Sequence, residues 1–134
     1  MTPPGTIVLP LAKSEDIVLM RQQVREMAVK LGLGLVDQTK VVTAASELGR
    51  NAIVYGGGGR VEMSEVCDGG RRGLRLAFID EGPGIADIEQ ALRDGYTSGG
   101  GLGLGLGGAR RLSDQFSIES APGRGTRVTI TRWR

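Results

Sequence analysis

Arg60-Val61-Glu62-Met63-Ser64-Glu65-Val66-Cys67-Asp68-Gly69-Gly70-Arg71-Arg72-Gly73-Leu74-Arg75-Leu76-Ala77-Phe78-Ile79-Asp80 is the stretch on which the reading of the fold turns. Arg60 to Cys67 and Gly73 to Asp80 read as two strands. Asp68-Gly69-Gly70 between them is a strong hairpin signal, because these residues accept the positive φ that tight strand turns demand. A hairpin makes its strands antiparallel.

Upstream, Ile7 to Leu11 reads as a short strand. Ser14 is the expected cap of a helix running to about Leu31, with Glu15 and Asp16 favourably placed in its first turn. Its apolar stripe is Ile17, Met20, Val24, Met27, Ala28 and Leu31. Gly32-Leu33-Gly34 ends it. Asp37 is the expected cap of a second helix reaching about Tyr55, with Val41, Ala45, Leu48, Ala52 and Tyr55 on one face. Gly56 to Gly59 read as its stop. Downstream of the hairpin, Glu81-Gly82-Pro83-Gly84 is a loop and Ile88 to Arg93 a short helix or turn. Gly95 to Gly103 has no periodicity. Leu104 to Ser113 reads as a helix despite its glycines. Phe116 to Ser120 and Thr126 to Arg132 are strands. The order β-α-α-β-β-(α)-α-β-β implies an α+β, two-layer architecture: a mixed, mostly antiparallel sheet with helices on one face. No repeat or linker interrupts it, so residues 1–134 are expected to form one domain.

Composition narrows the chemistry. The chain has 134 residues and no histidine, which excludes a histidine general base, histidine-built zinc sites and autophosphorylation on histidine. A single cysteine, Cys67, excludes an internal disulfide; in a strand it is expected to be a small buried hydrophobe. Net charge is +2, with one Trp, two Tyr and two Phe. That lacks the basic stripe and interleaved aromatics of a nucleic-acid binder. No apolar run approaches the roughly 20 residues that span a bilayer, and Met1 to Pro10 does not read as a signal peptide. The expected location is the cytoplasm. Glycine is abundant, 23 residues, and asks for either floppiness or a backbone surface that approaches a ligand closely.

Three constellations carry chemistry. In Glu47-Leu48-Gly49-Arg50-Asn51, Glu47 and Asn51 share a helix face at i and i+4. A carboxylate and a carboxamide there suit a base and a Mg²⁺ ligand, since Mg²⁺ takes few protein oxygens beside phosphates and waters; alone, the pair reads first as a solvated helix face. In Leu76-Ala77-Phe78-Ile79-Asp80-Glu81-Gly82-Pro83-Gly84-Ile85, an apolar strand ends in an acid and a Gly-x-Gly turn. The acid can accept from an adenine amino group, or simply start a tight turn. The third is Gly99-Gly100-Gly101-Leu102-Gly103-Leu104-Gly105-Leu106-Gly107-Gly108. Its regular leucines do not belong in a linker. Glycines running into a helix start offer free N–H groups to phosphate. Gly103-x-Gly105-x-x-Gly108 matches a Rossmann fingerprint formally, but no strand precedes it. A Walker A loop is excluded because no Gly-Lys-Ser/Thr occurs, and the His-Arg-Asp loop of eukaryotic protein kinases needs a histidine.

In this order, with Gly125-Thr126 leading the last strand, the motifs resemble the N, G1 and G2 boxes of the GHKL (Bergerat-fold) ATPases over Asp37 to Arg132. The resemblance narrows. Thr43-Ala44-Ala45-Ser46-Glu47-Leu48-x-Arg50-Asn51, Gly95-Tyr96-Thr97-Ser98-Gly99, Gly101 to Leu106 with Gly108-Ala109-Arg110-Arg111-Leu112, and the penultimate Trp133 are similar to the RsbT-type switch kinases of bacterial stressosomes. The lid at about Gly95 to Gly101 is short compared with that of anti-sigma-factor kinases. Two positions depart: Gly107 stands where proline is expected and Gly49 where alanine is usual. Each lowers helix propensity by ~1 kcal/mol at most.

The resemblance implies an ATP- and Mg²⁺-dependent serine/threonine kinase, with roles for ten residues. Asp80 accepts the adenine amino proton, Gly82 and Gly84 shape the base pocket, and Thr126 supports Asp80 or a bridging water. Asn51 holds the Mg²⁺. Gly101, Gly103 and Gly105 cradle the phosphates, Glu47 deprotonates the incoming hydroxyl, and Arg50 contacts the γ-phosphate. Arg110 and Arg111 are expected in solvent. The implied substrate is a Ser or Thr on a STAS-domain protein, and a PP2C-type phosphatase is a further implied partner; nucleic acid and membrane are not expected. Alternatives are an anti-sigma-factor kinase, a detached histidine-kinase catalytic domain, and a non-catalytic ATP-dependent binding module.

Overall fold

A computed structural model describes residues 5–93 and 105–134. The elements are β1 (Ile7–Leu11), α1 (Ser14–Leu31), α2 (Leu35–Val54), β2 (Gly59–Asp68), β3 (Arg71–Asp80), α3 (Ile88–Ala91), α4 (Gly105–Arg111), β4 (Gln115–Ser120) and β5 (Thr126–Trp133). The order expected from sequence holds throughout. The stretch from Gly95 to Leu104, including the lid, Gly101 and Gly103, lies outside the described residues.

The strands form one sheet, β1-β2-β3-β5-β4, in which every ladder is antiparallel. The expectation of a mixed sheet is corrected by one topological fact. β5 returns between β3 and β4, so these two strands, which run the same way, never pair. This puts the ends of β3 and the start of β5 side by side, with Asp80 opposite Thr126.

One face of the sheet carries the core. Val61 and Met63, Leu74, Leu76 and Phe78, and Val128 and Ile130 alternate inward from β2, β3 and β5. Met20, Val24, Ala28 and Leu31 of α1 and Val41, Ala45, Leu48 and Ala52 of α2 close over them. Ile17 and Met27 are partly buried against this cluster. Tyr55, expected to continue the stripe, is 40% exposed because α2 ends one residue earlier. Cys67 is exposed, not buried; it stands beside the exposed hairpin tip, opposite Arg72.

Both expected helix caps move. The residue before α1 is Lys13, and the Asp16 carboxylate accepts the N–H groups of Ala12 at 2.8 Å and Lys13 at 3.1 Å. An acid inside the first turn thus ties down the helix entry that Ser14 was expected to cap. Helix α2 starts at Leu35 after Gly34, and Asp37 lies inside its first turn. The Asp37 carboxylate is drawn instead to Arg132, at 2.6 Å. Arg132 also reaches the Leu112 carbonyl at 3.2 Å and Asp114 at 3.6 Å. One guanidinium therefore links the start of α2, the exit of α4 and the end of β5.

The two glycine departures have different causes. A side chain at Gly107 would run into the Leu92 carbonyl oxygen, because α4 crosses the end of α3 backbone against backbone. Neither proline nor alanine fits there. A Cβ at Gly49 would sit 2.9 Å from the Ile17 Cδ1 and 3.0 Å from the Met20 Cε, the mobile tips of two α1 side chains. Alanine at 49 therefore asks only for a small shift.

Candidate nucleotide-binding site

Helix α2, the end of β3 and the start of α4 converge on one cleft of about 650 Å³, lined by Glu47, Arg50, Asn51, Asp80, Gly84, Gly105 and Thr126. The size suits a nucleotide. Its walls are apolar where a flat base would lie: Leu48, Ala52, Phe78, Ile85, Leu106 and Val128.

Asp80 stands at one end. Its Oδ1 accepts the Gly82 N–H at 3.0 Å, and the Thr126 backbone also reaches its carboxyl. Burial raises its pKa above the ordinary aspartate value, while these two backbone hydrogen bonds, which favour the ionised form, pull the other way. The loop after Asp80 is stitched to the loop before β5. Gly123 donates to the Pro83 carbonyl at 2.7 Å and Gly125 to the Gly82 carbonyl at 3.1 Å. Ser120 Oγ accepts the Ile85 N–H at 2.8 Å, donates to the Gly125 carbonyl at 2.8 Å, and lies 2.8 Å from the Thr126 Oγ1. The Thr126 hydroxyl thus meets Ser120, and it is the Thr126 backbone that supports Asp80.

The other end is built from side chains of α2. Glu47 is buried, and its Oε1 accepts the N–H of Gly105, the first residue of α4, at 3.2 Å. Its Oε2 receives the Arg50 Nη1 at 3.4 Å. Arg50 keeps 41% of its side chain in solvent, so this ion pair contributes at most about 1 kcal/mol. Asn51, one turn from Glu47, offers a neutral amide oxygen to the same cleft. Among the described residues no three acidic or thiol side chains gather into a metal cluster. The donors fit a hard cation that takes one protein oxygen and fills its shell from phosphates and water.

Residues 36–133 match the family described as histidine kinase-, DNA gyrase B-, and HSP90-like ATPase. The chain belongs to that ATPase family. It is 46% identical to the serine/threonine-protein kinase RsbT of Bacillus subtilis over 118 residues, covering 88% of this chain and 89% of the relative. It is 34% identical to the anti-sigma F factor of Clostridium acetobutylicum over 128 residues, covering 91% and 88%. Its fold superposes on a solved Mycobacterium tuberculosis protein carrying RsbU and RsbW domains, with a TM-score of 0.66 and 26% identity over 99% of this chain. The chain spans only 33% of that solved chain.

For an ATPase of this family the described residues named from sequence fall in one place: Glu47, Arg50, Asn51, Asp80, Gly84, Gly105 and Thr126 all line the cleft, and Gly82 holds Asp80. Gly101 and Gly103 lie outside the described residues. Two contacts differ from expectation. The Gly105 N–H, expected to face phosphate, is given to Glu47, and Arg50 is engaged with Glu47. Arg110 is exposed. Sequence reasoning missed Ser120, which carries no motif, and Gly56, read only as part of a helix stop. The signal for Gly56 was present: four consecutive glycines exceed what ending a helix requires.

Proposed function

We propose that the ATPase fold here serves phosphoryl transfer from Mg²⁺-bound ATP to a serine or threonine of a STAS-domain protein, in a bacterial partner-switching pathway. The chain is a protein serine/threonine kinase by kinship with RsbT and the anti-sigma F factors. The observation that carries the reading is the convergence of Glu47, Asn51 and Asp80, each from its own motif, on one cleft of nucleotide size.

In this reading Asp80, ionised and oriented by the Gly82 N–H, accepts the adenine amino proton. A guanine carbonyl would meet it with repulsion. Gly82 and Gly84 keep the base pocket clear of side chains. Asn51 would contribute one oxygen to the metal, and Gly101 and Gly103 keep the phosphate role the family resemblance implies, which Gly105 would share only by releasing its N–H from Glu47. Bound Mg²⁺-ATP supplies the phosphoryl group and neutralises its charge. Glu47 orients the incoming hydroxyl and takes its proton. Arg50, long and half in solvent, can leave Glu47 for the terminal phosphate. Transfer of this kind rests mainly on positioning and charge, so few side chains suffice. When released from its substrate, the kinase would bind and activate a PP2C-type phosphatase.

The test is incubation of the protein with labelled ATP, Mg²⁺ and a STAS-domain protein. Acid-stable label on the STAS protein is the expected result. Acid-labile label would indicate phosphohistidine and a histidine-kinase role. ATP binding with no transfer would indicate a nucleotide-dependent binding module.

A further inference from the structure

The end of α2 comes closer to Asp80 than any side chain would allow. A Cβ built on Gly56 would overlap the Asp80 side chain, 2.6 Å from its Cβ and 2.6 Å from its Oδ2. A Cβ on Gly82 would lie 2.6 Å from the Gly56 Cα, and one on Gly125 would run into the Asp80 carbonyl. Backbone from three elements therefore closes round Asp80: Gly56 after α2 lies against its side chain, Gly82 after β3 packs on Gly56 and donates its N–H to the carboxylate, and Gly125 before β5 lies against the Asp80 carbonyl. Gly56 itself is fixed. Its N–H donates to the Asn51 carbonyl at 3.2 Å, and the neighbouring Tyr55 N–H donates to the same oxygen at 2.9 Å. The atoms that a Gly56 side chain would strike first all belong to Asp80. Rotation of the Asp80 side chain would relieve the contacts to its Cγ and Oδ2, but its Cβ is fixed to β3, so the strand end would also have to shift. Either way the carboxylate leaves its place.

We propose that Gly56 is a positioning residue for base recognition: its bare backbone sets the rotamer in which Asp80 meets the 6-amino group, and it joins the base end of the cleft to the helix that carries Asn51 and Glu47. The inference rests on the assignment of Asp80 to the adenine amino group, and its test separates the two. Affinities for ATP and for purine riboside triphosphate, which lacks the 6-amino group, are measured by calorimetry on the intact chain and on the Gly56→Ala and Asp80→Asn variants. The unsubstituted protein is expected to prefer ATP about tenfold, equivalent to ~1.4 kcal/mol. Gly56→Ala is expected to abolish the preference while leaving affinity for the analogue within about threefold, a change under ~1 kcal/mol.

A preference retained by Gly56→Ala but lost by Asp80→Asn would overturn the role of Gly56 and leave Asp80 standing. No preference in the unsubstituted protein would remove the Asp80 assignment and the inference with it. Equal loss of both nucleotides by a folded Gly56→Ala variant would make the residue merely structural and also overturn the proposal. Should Gly56→Ala fail to fold, its combination with Asp80→Gly decides. With the whole side chain removed, Cβ included, the three atoms nearest a methyl group at 56 are gone, so the double variant should match Asp80→Gly in thermal midpoint. An unfolded double variant would sink the idea.

Discussion

The two ends of the cleft are built by different means. Around Asp80 the walls are backbone. Gly56 lies against its side chain, Gly82 donates an N–H to it, Gly125 lies against its main chain, and Ser120 staples the flanking loops together. Around Glu47 the structure is made of side chains: a glutamate, an arginine and an asparagine on successive turns of α2, with one amide borrowed from Gly105. A backbone wall has no rotamers to change, so it fits one flat ligand and rejects alterations. Side chains held by one or two polar contacts can exchange partners, which is what the phosphate and metal roles proposed for this end require. The contrast is between recognition by shape and chemistry by rearrangement.

The contrast can be broken most decisively at Glu47. Glu47→Ala should retain ATP binding within a few-fold and lower phosphoryl transfer by at least ~10²-fold, the usual scale for loss of a general base. Unchanged transfer would remove Glu47 as the base. Gly107→Ala asks whether the phosphate end also has a backbone wall behind it. Its methyl group meets the Leu92 carbonyl, so a stability loss of about 1–3 kcal/mol is expected, read as a lower denaturation midpoint. ATP-over-GTP discrimination should survive in that variant, since the atoms a Gly107 side chain would meet belong to Leu92 and Arg93, not to Asp80. Asp80→Asn should weaken ATP binding at least ~10-fold, or ~1.4 kcal/mol; equal affinity in a direct titration defeats the adenine assignment.

The pH dependence sharpens the same point. Burial raises the Asp80 pKa. In the proposed role the ionised form accepts a hydrogen bond from the adenine amino group, so ATP affinity should fall on acidification at a pH above the ordinary aspartate range, and Asp80→Asn should lose that titration. The sign for folding is opposite. The folded state holds the Asp80 proton more tightly than the unfolded chain, so between the two pKa values this group's contribution to stability falls as pH rises. A denaturation series on Asp80→Asn and the parent across mildly acidic pH would read it. The smallest effect belongs to Arg50→Ala. Its half-exposed pair with Glu47 should change stability by under ~1 kcal/mol, while a larger loss in transfer would place Arg50 on the phosphate.

The elements and the cleft residues were legible in the sequence because their signals are local. Apolar spacing gave α1 and most of α2. Asp68-Gly69-Gly70 announced the central hairpin. Glu47, Asn51 and Asp80 each stood in a motif whose residue types match one chemical task. Where such signals compete with distant partners they misled: Asp37 resembled a cap until Arg132 claimed it, and Tyr55 fitted the apolar face but lies past the end of the helix.

By itself, then, the sequence specified a hairpin-centred, mostly antiparallel sheet, two amphipathic helices over it, and the chemistry of the groups that line the cleft. Only the tertiary structure decided that β5 inserts between β3 and β4, that Gly56 touches Asp80, that Gly107 lies on Leu92, and that the Gly105 N–H is given to Glu47. Periodicity and turn preference are properties of neighbouring residues. The approach of one backbone to another depends on how whole elements cross, and a missing side chain carries no local mark of what it makes room for.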